Sequence, residues 1–232
     1  MAASCHVCPF RPSCLVAGAE KEGLDRFSDA LRRYSVKAKG RNIFHQGEPN
    51  DAFIFLCSGV VKVVKNLPNG RDVILEVVSA FSIVNVPPAS NTSQHPFSAV
   101  TLSNVTELAS IKKGDLFDLL KSYPTLGDNL CWHVSRRFVI AFNMLSSMQL
   151  GVKQRIFTIL SFFSGAWKAE NRARYVKIPL TQGELAQLVQ TTPETISRTL
   201  RRLREEQIVR VGPKGELTVA EGALKDYLNE ER

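Results

Sequence analysis

Three thiols and one helix face carry the chemistry legible in this chain. Cys5, Cys8 and Cys14 stand in CHVCPFRPSC, a C-x2-C-x5-C spacing on a short loop stiffened by Pro9 and Pro12. Soft thiolates so spaced can converge on one metal centre, and they select zinc or iron–sulfur clusters. Spacing alone leaves that choice open. The second constellation is Glu194, Ser197, Arg198 and Arg201, at i, i+3, i+4 and i+7 and therefore on one face of a helix. A carboxylate, a hydroxyl and two guanidiniums on one side suit the base edges of a DNA major groove. Arg forks onto guanine O6 and N7, Glu accepts from cytosine N4, and Ser can do either.

Those side chains need a rigid mount, and residues 180–211 supply one. Thr181 has Glu184 three residues on, a capping-box spacing, and Leu185, Leu188 and Val189 follow at helical intervals. A turn at Gln190 and Thr191 comes next. Thr192 is a good N-cap, and Pro193 suits the first helical position because its missing N–H has no intrahelical partner there. Ile196, Leu200 and Leu203 give the second helix an apolar stripe apart from its polar face. Two short helices around a tight turn predict a helix-turn-helix, whose second helix enters the major groove by its N-terminal end. The expected DNA-binding residues are Thr192, Glu194, Thr195, Ser197, Arg198, Arg201 and Arg202. Lys153, Arg155 and Arg204 join Arg201 and Arg202 as expected phosphate contacts. Short β-prone runs at 209–211 and 217–219, joined by Gly212, Pro213, Lys214 and Gly215, predict a hairpin wing.

Composition agrees. The net charge of +8 is concentrated around this reader, since residues 151–214 hold 12 Lys and Arg against 5 acids. A chain of 232 residues with one such reader fits two domains. No run approaches the roughly 18 apolar residues of a membrane span, and the N-terminus lacks a signal peptide's apolar core, so the expected compartment is the cytoplasm. Thiols stay reduced there, so the five cysteines are not expected to form disulfides.

Upstream of the reader, residues 24–34 read as a short amphipathic helix and the texture then turns to β. FIFLCSGVVKVVKN and DVILEVV are strand-like runs, with Pro68, Asn69 and Gly70 marking a hairpin turn between them, and FSAVTLSNVTELASI supplies more strands. Regular short strands predict an antiparallel roll or jelly roll. A long helix is predicted over residues 125–148. Leu130, Val134, Phe138, Ala141, Leu145 and Met148 step along it by 4, 4, 3, 4 and 3, a heptad-like seam for a homodimer, interrupted by Arg136 and Arg137. Leu150 and Gly151 read as a hinge. The resulting α+β organisation is a cysteine loop (1–23), a sensor β-roll (24–124), a dimerisation helix (125–150) and a winged helix-turn-helix (151–232).

ETISRTLRRL, with Glu194, Ser197 and Arg198 in E-x-x-S-R order, resembles the recognition helix of the Crp/Fnr transcription regulators, and of their Fnr-like branch in particular. GEPNDAFIFLCSGVVKVV resembles the opening hairpins of the same superfamily's cyclic-nucleotide-binding-like sensor domain, and the likeness extends over most of the chain. The resemblance implies a homodimer that reads TTGAT-type half-sites as an inverted repeat and contacts RNA polymerase. Fnr-type oxygen sensors carry a cysteine triplet of this spacing, which implies a [4Fe–4S] cluster on Cys5, Cys8 and Cys14 that oxygen or nitric oxide destroys. The alternative is a regulator of the same type that senses through haem, zinc or a small-molecule effector. One departure stands out. The family's fourth cysteine lies on the strand leading into the dimer helix, and alignment through ELASIKKGDLF and Pro124 puts Ala109 there. Cys131, about two turns into the long helix, is preferred as its replacement; Cys57, on a predicted strand beside Ser58 and Gly59, is the other choice, with Asp128 or His133 as non-cysteine ligands.

Two function classes are not expected. The cyclic-nucleotide site of the Crp branch resembles a Gly-Glu-Leu segment followed by an Arg that pairs with the phosphate. The matching region, residues 78–100, has no Gly-Glu pair, and no Arg stands between Arg71 and Arg136, so a buried phosphate would lack a cation. Catalysis is not expected either. His6, His45, His95 and His133 are scattered with no H-x-H pair, and there is no G-x-S-x-G or phosphate-cradling glycine loop.

Overall fold

The computed structural model describes residues 4–86, 93–167, 175–212 and 217–220, with the backbone alone for 161–167 and 175–176. The chain divides into two compact units, Met1–Phe138 and Val139–Arg232, with the boundary inside the long helix rather than at its ends.

The first unit is a β-roll. Strands β1 (Arg32–Val36), β3 (Ala52–Ser58), β6 (Ser82–Ile83) and β8 (Thr106–Lys112) make one antiparallel sheet in the order β1-β8-β3-β6. Strands β2 (Asn42–Phe44), β4 (Val60–Asn66), β5 (Asp72–Ser79) and β7 (Ser98–Thr101) make the other, in the order β2-β7-β4-β5. The hairpin expected at Pro68, Asn69 and Gly70 joins β4 to β5, and Gly70 takes the left-handed φ of 78° that a side chain would resist. Gly59, at φ 97°, passes the chain from one sheet to the other, where an added Cβ would meet the Val105 carbonyl at 3.0 Å.

Period-2 alternation along β3 decides what each sheet face covers. Ile54 and Leu56 point between the sheets, in a core with Val61, Val63, Val78, Ala99 and Leu108. Phe53 and Phe55 point the other way, into a second core with Leu15, Val16, Leu24, Phe27, Ile111, Leu116 and Leu126. That outer core is roofed by α1 (Lys21–Ala30), α2 (Lys113–Ser122) and the N-terminal loop. The expected helix over 24–34 therefore stops at Ala30. Arg32 to Val36 extend instead, because their backbone groups pair with β8 from Ser110 to Thr106.

The long helix α3 runs over Pro124–Ser147. Leu126, Leu130, His133 and Arg137 recur at helical spacing on the side that meets the roll. Leu126 is fully buried, Leu130 packs on the outer core, and Arg137 bonds to the inner end of β6. No helix among the described residues is long and apolar enough to cross a membrane.

The second unit holds α4 (Val152–Trp167), β9 (Tyr175–Ile178), α5 (Gln182–Leu188), α6 (Pro193–Glu205), β10 (Val209–Val211) and β11 (Leu217–Ala220). The expected wing is present as the β10–β11 pair; the tip, residues 213–216, lies outside the described residues. β9, which the sequence pattern did not signal, pairs with β11 and gives the order β10-β11-β9.

Candidate functional site

The N-terminal loop is docked on the sheet. A short 3-10 turn at Arg11–Ser13 follows Cys8, and Leu15 and Val16 are buried in the outer core. Asn129 Nδ2 on α3 donates to the Leu15 and Ala17 carbonyls, each at 2.8 Å. Phe10 stacks on Phe81, ring centroids 4.4 Å apart, and Phe81 adopts a left-handed φ of 67° that bulky residues rarely accept.

Under this loop lies a cavity of about 230 Å³. Cys5, Cys8 and Cys14 line it, and so does Cys57 from β3. Arg11, Arg33, Ser58, Ser82, Glu107 and His133 give it polar lining, and Phe10, Phe55 and Phe81 an aromatic wall. Arg33 Nη2 donates to Cys5 Sγ at 3.3 Å and to Ser28 Oγ at 2.9 Å, which fixes a cation beside the thiols. Cys131, by contrast, is exposed on α3 and is not part of the cavity wall, and Asp128 is exposed as well.

The electrostatics follow burial. Cys14 is pushed up to about 11, first by loss of hydration and then by the neighbouring Cys5 and Cys8, against backbone hydrogen bonds at Val16 and Leu15 that lower it. Cys57 is pushed up to about 12, again by burial first, with Cys14, Cys5 and Cys8 adding to the rise and Arg33 opposing it. Without a bound cation these groups are neutral thiols, and loading a metal must release their protons. His133 is lowered by burial and by Arg136, against a backbone hydrogen bond at Cys14. Among the described residues no three His, Cys, Asp or Glu side chains stand close enough together to hold a single metal ion.

The helix-turn-helix is built as its residue types require. Thr181 Oγ1 accepts from the Glu184 N–H at 3.2 Å, and the Thr181 N–H donates back to Glu184 Oε2 at 2.9 Å, a closed capping box. Gln190 takes the left-handed turn at φ 51°, and Arg155 clasps that turn by donating to the Val189 carbonyl at 3.0 Å. Ile196, Leu200 and Leu203 bury α6 on its inner side, leaving Glu194, Ser197, Arg198, Arg201 and Arg202 exposed.

Several expected contacts have other work. Thr192 caps α6 by accepting from the Thr195 N–H at 3.3 Å, and the two hydroxyls lie 3.2 Å apart. Lys153 pairs with Glu206 at 2.9 Å, and Arg155 also donates to the Leu150 carbonyl. Glu194 is held below its ordinary range by its own backbone N–H and then by Thr192, so it presents an ionised acceptor.

On α3, Val134, Phe138, Ala141 and Leu145 are exposed, and Met148 is half-buried. Leu130, at the start of the expected seam, is half-buried and packs against the outer core of the roll. Arg137, rather than interrupting the seam, turns inward to Glu76. Arg136 lies 5.5 Å over the Trp132 ring. Trp132, Val139 and Phe142 widen the exposed apolar strip beyond the heptad positions, and their apolar character between those positions was the signal for it.

Residues 36–123 match the model of a cyclic nucleotide-binding domain, and residues 154–225 that of a Crp-like helix-turn-helix domain. The cyclic AMP receptor protein of Thermus thermophilus is 29% identical over 201 residues, spanning 82% of this chain and 85% of that protein. The transcriptional activator protein Anr of Pseudomonas protegens is 24% identical over 209 residues, 89% of this chain and 85% of that protein. Among solved structures, FixK2 from Bradyrhizobium japonicum superposes with a TM-score of 0.70 at 17% identity, covering 84% of this chain and 96% of that one. The regulator CLP of Xanthomonas campestris gives 0.68 at 20%, covering 87% and 99%.

Proposed function

The chain belongs to the Crp/Fnr superfamily of DNA-binding transcription regulators, and from that premise we propose that it is an Fnr-like sensor of oxygen, redox state or nitric oxide. Family membership makes it a regulator and not an enzyme. On this reading it acts in the cytoplasm as a homodimer, reads an inverted repeat of TTGAT-like half-sites and contacts RNA polymerase.

The observation that carries the sensor half is the cavity rimmed by Cys5, Cys8, Cys14 and Cys57. A single zinc ion needs all its thiolates within about 2.3 Å of one point. A [4Fe–4S] cluster spreads four thiolates over its irons, which suits donors that ring a cavity rather than meet. Phe10, Phe55 and Phe81 give the cavity an apolar side, and Arg33 offsets thiolate charge. Bound there, a cluster supplies a centre labile to oxygen and nitric oxide.

The chain's own residues supply the coupling. Asn129 ties the cysteine loop to α3, and Leu130 packs in the core that Cys5 and Cys14 border. A loop held on the sheet and a loop released from it therefore give the first turns of α3 different partners. The same helix bears Val134, Phe138, Ala141 and Leu145, so loop docking and dimer association bias one equilibrium. In the dimer, Glu194, Ser197 and Arg198 of each protomer read one half-site, flanked by Thr192, Thr195, Arg201 and Arg202. Cyclic nucleotide binding is not part of this reading: residues 72–135 contain no Arg, and Arg137 is engaged by Glu76.

The test is iron, sulfide and zinc quantitation on protein prepared without oxygen, paired with gel shifts on a TTGAT palindrome before and after exposure to air. A brown protein that loses both its visible absorbance and its DNA preference in air is the expected result. Colourless protein with unchanged binding overturns the sensor half. The match of residues 36–123 to a cyclic nucleotide-binding domain favours a second reading, a small-molecule, haem or zinc sensor, and the same quantitation separates the two.

A further inference from the structure

Resting on the cluster reading above, we propose that Cys57 is the fourth thiolate of the site, brought in from β3 to replace the ligand that Ala109 cannot provide. The sheet itself makes the case. Ala109 on β8 is paired with Phe55 on one side and Arg33 on the other, and Cα-paired residues of neighbouring strands point to the same face. Phe55 faces the outer core and Arg33 lines the cavity, so a cysteine at 109 would sit on the loop side of the sheet.

Cys57 follows Phe53 and Phe55 at period 2 and shares that face. It is a diagonal neighbour of Ala109, a separation of about 7–8 Å in an ordinary ladder. The ladder is not ordinary at this point. Leu56 pairs with Leu108 and Ser58 with Glu107, so Cys57 is the extra residue of a β-bulge with no opposite number. A bulge bends its strand and re-aims the side chain it carries. Here the re-aimed side chain is a thiol in the wall of the cavity that Cys5, Cys8 and Cys14 also line.

The surroundings fit a ligand rather than a packing cysteine. Arg33, which bonds Cys5 Sγ, also acts on Cys57 electrostatically. Phe81, next to β6 in the same wall, holds its unfavourable backbone with its N–H bonded to the Leu56 carbonyl at 2.7 Å, one residue before Cys57. Strain of this kind persists where surrounding structure enforces it and gathers at functional sites. Cys131 has none of these features.

The experiment uses full-length protein prepared and reconstituted without oxygen, in five forms: wild type, Cys57→Ser, Cys57→Ala, Cys131→Ser and Cys57→Ala/Ala109→Cys. Iron and acid-labile sulfide retained after gel filtration are measured beside the visible spectrum and the thermal melt. Both Cys57 variants should lose iron by about tenfold or more while still melting cooperatively, and Cys131→Ser should keep it. Serine keeps the shape and alanine the apolarity, so a folding defect in one does not decide the matter. Iron restored by Ala109→Cys in the Cys57→Ala background shows that a thiolate on this face is what was missing. A wild type that binds iron and sulfide while both Cys57 variants match it overturns the assignment of Cys57 alone. A wild type that takes up neither overturns the cluster reading and this proposal with it.

Discussion

Arg137 Nη2 stands 2.7 Å from Glu76 Oε2, with both side chains about three-quarters shielded from water. The guanidinium also donates to the carbonyls of Ile83, Val84 and Asn85 at 3.2, 3.3 and 2.9 Å, so it spends its fork on the backbone that leaves β6. One side chain of α3 thus holds β5 and the β6 exit together.

Removing the cation leaves a half-buried carboxylate and three carbonyls without this partner. Arg137→Ala should therefore cost about 2–4 kcal/mol of stability in urea unfolding of the whole chain. Glu76→Gln keeps an acceptor and should cost less. A loss within about 0.5 kcal/mol, the scale of an exposed pair, would show that water already satisfies these groups.

Arg137 also marks where the sequence stops being legible. Local signals read well: Thr181 with Glu184 and Thr192 with Pro193 cap the helices they were expected to cap, because capping is settled within four residues. The turn at Pro68, Asn69 and Gly70 is likewise a local matter. What the sequence leaves open depends on distant chain. Whether Leu130 and Arg137 face a partner or their own roll depends on strands some fifty residues away, and heptad spacing serves both. Arg32 to Val36 have no strand-specific pattern until β8 offers its edge. Cys57 was visible as a cysteine, but its face follows from the Phe53, Phe55, Cys57 alternation once Phe53 and Phe55 are known to lie under the loop.

His95 gives a pH dependence. It is buried, its ring stacks on Phe44 with centroids 3.8 Å apart, and its Nδ1 has no hydrogen-bond partner among the described residues. Burial lowers its pKa from the ordinary 6.5, outweighing Glu48 and Asp51, which raise it. The unfolded chain then binds the proton more readily than the folded one. The stabilisation is complete above 6.5 and is lost as pH falls from there through the lower folded value. The melting temperature should fall across that window, and His95→Phe, which keeps a stacking ring and cannot take a proton, should flatten the slope. An unchanged slope would assign the acid sensitivity to other groups.

The exposed strip of α3 predicts the response of association. Phe138 and Leu145 are 64% and 66% exposed in the single chain, too much apolar surface for a helix with no partner. In a twofold pair each substitution is made twice. Burial of about 1.5–3 kcal/mol per side chain then makes Phe138→Asp or Leu145→Asp weaken the dimer on the order of a hundredfold or more. Sedimentation at graded concentration measures it. Leu130→Ala is the control, since it should lower the melting temperature and leave association nearly unchanged; a dimer indifferent to Phe138→Asp would place the interface elsewhere.

The recognition helix permits the sharpest separation. Arg198 and Arg202 are both exposed on α6, yet Arg198 lies in its N-terminal half beside Glu194 and Ser197, and Arg202 in its last turn. A helix that enters the groove by its N-terminus brings Arg198 to base edges and leaves Arg202 near the phosphates. Arg198→Ala should cost about 1–3 kcal/mol per half-site and relax discrimination at one base pair, because a bidentate contact is lost at that pair alone. Arg202→Ala should weaken every sequence alike and lower the salt slope by about one. Glu194→Ala should act as Arg198→Ala does, at a neighbouring base pair, because its ionised carboxylate can accept from a base amino group. Binding measured on a panel of singly mutated palindromes at two salt concentrations distinguishes these patterns. Uniform loss from Arg198→Ala would reassign it to the backbone, and the E-x-x-S-R face would then no longer account for sequence choice.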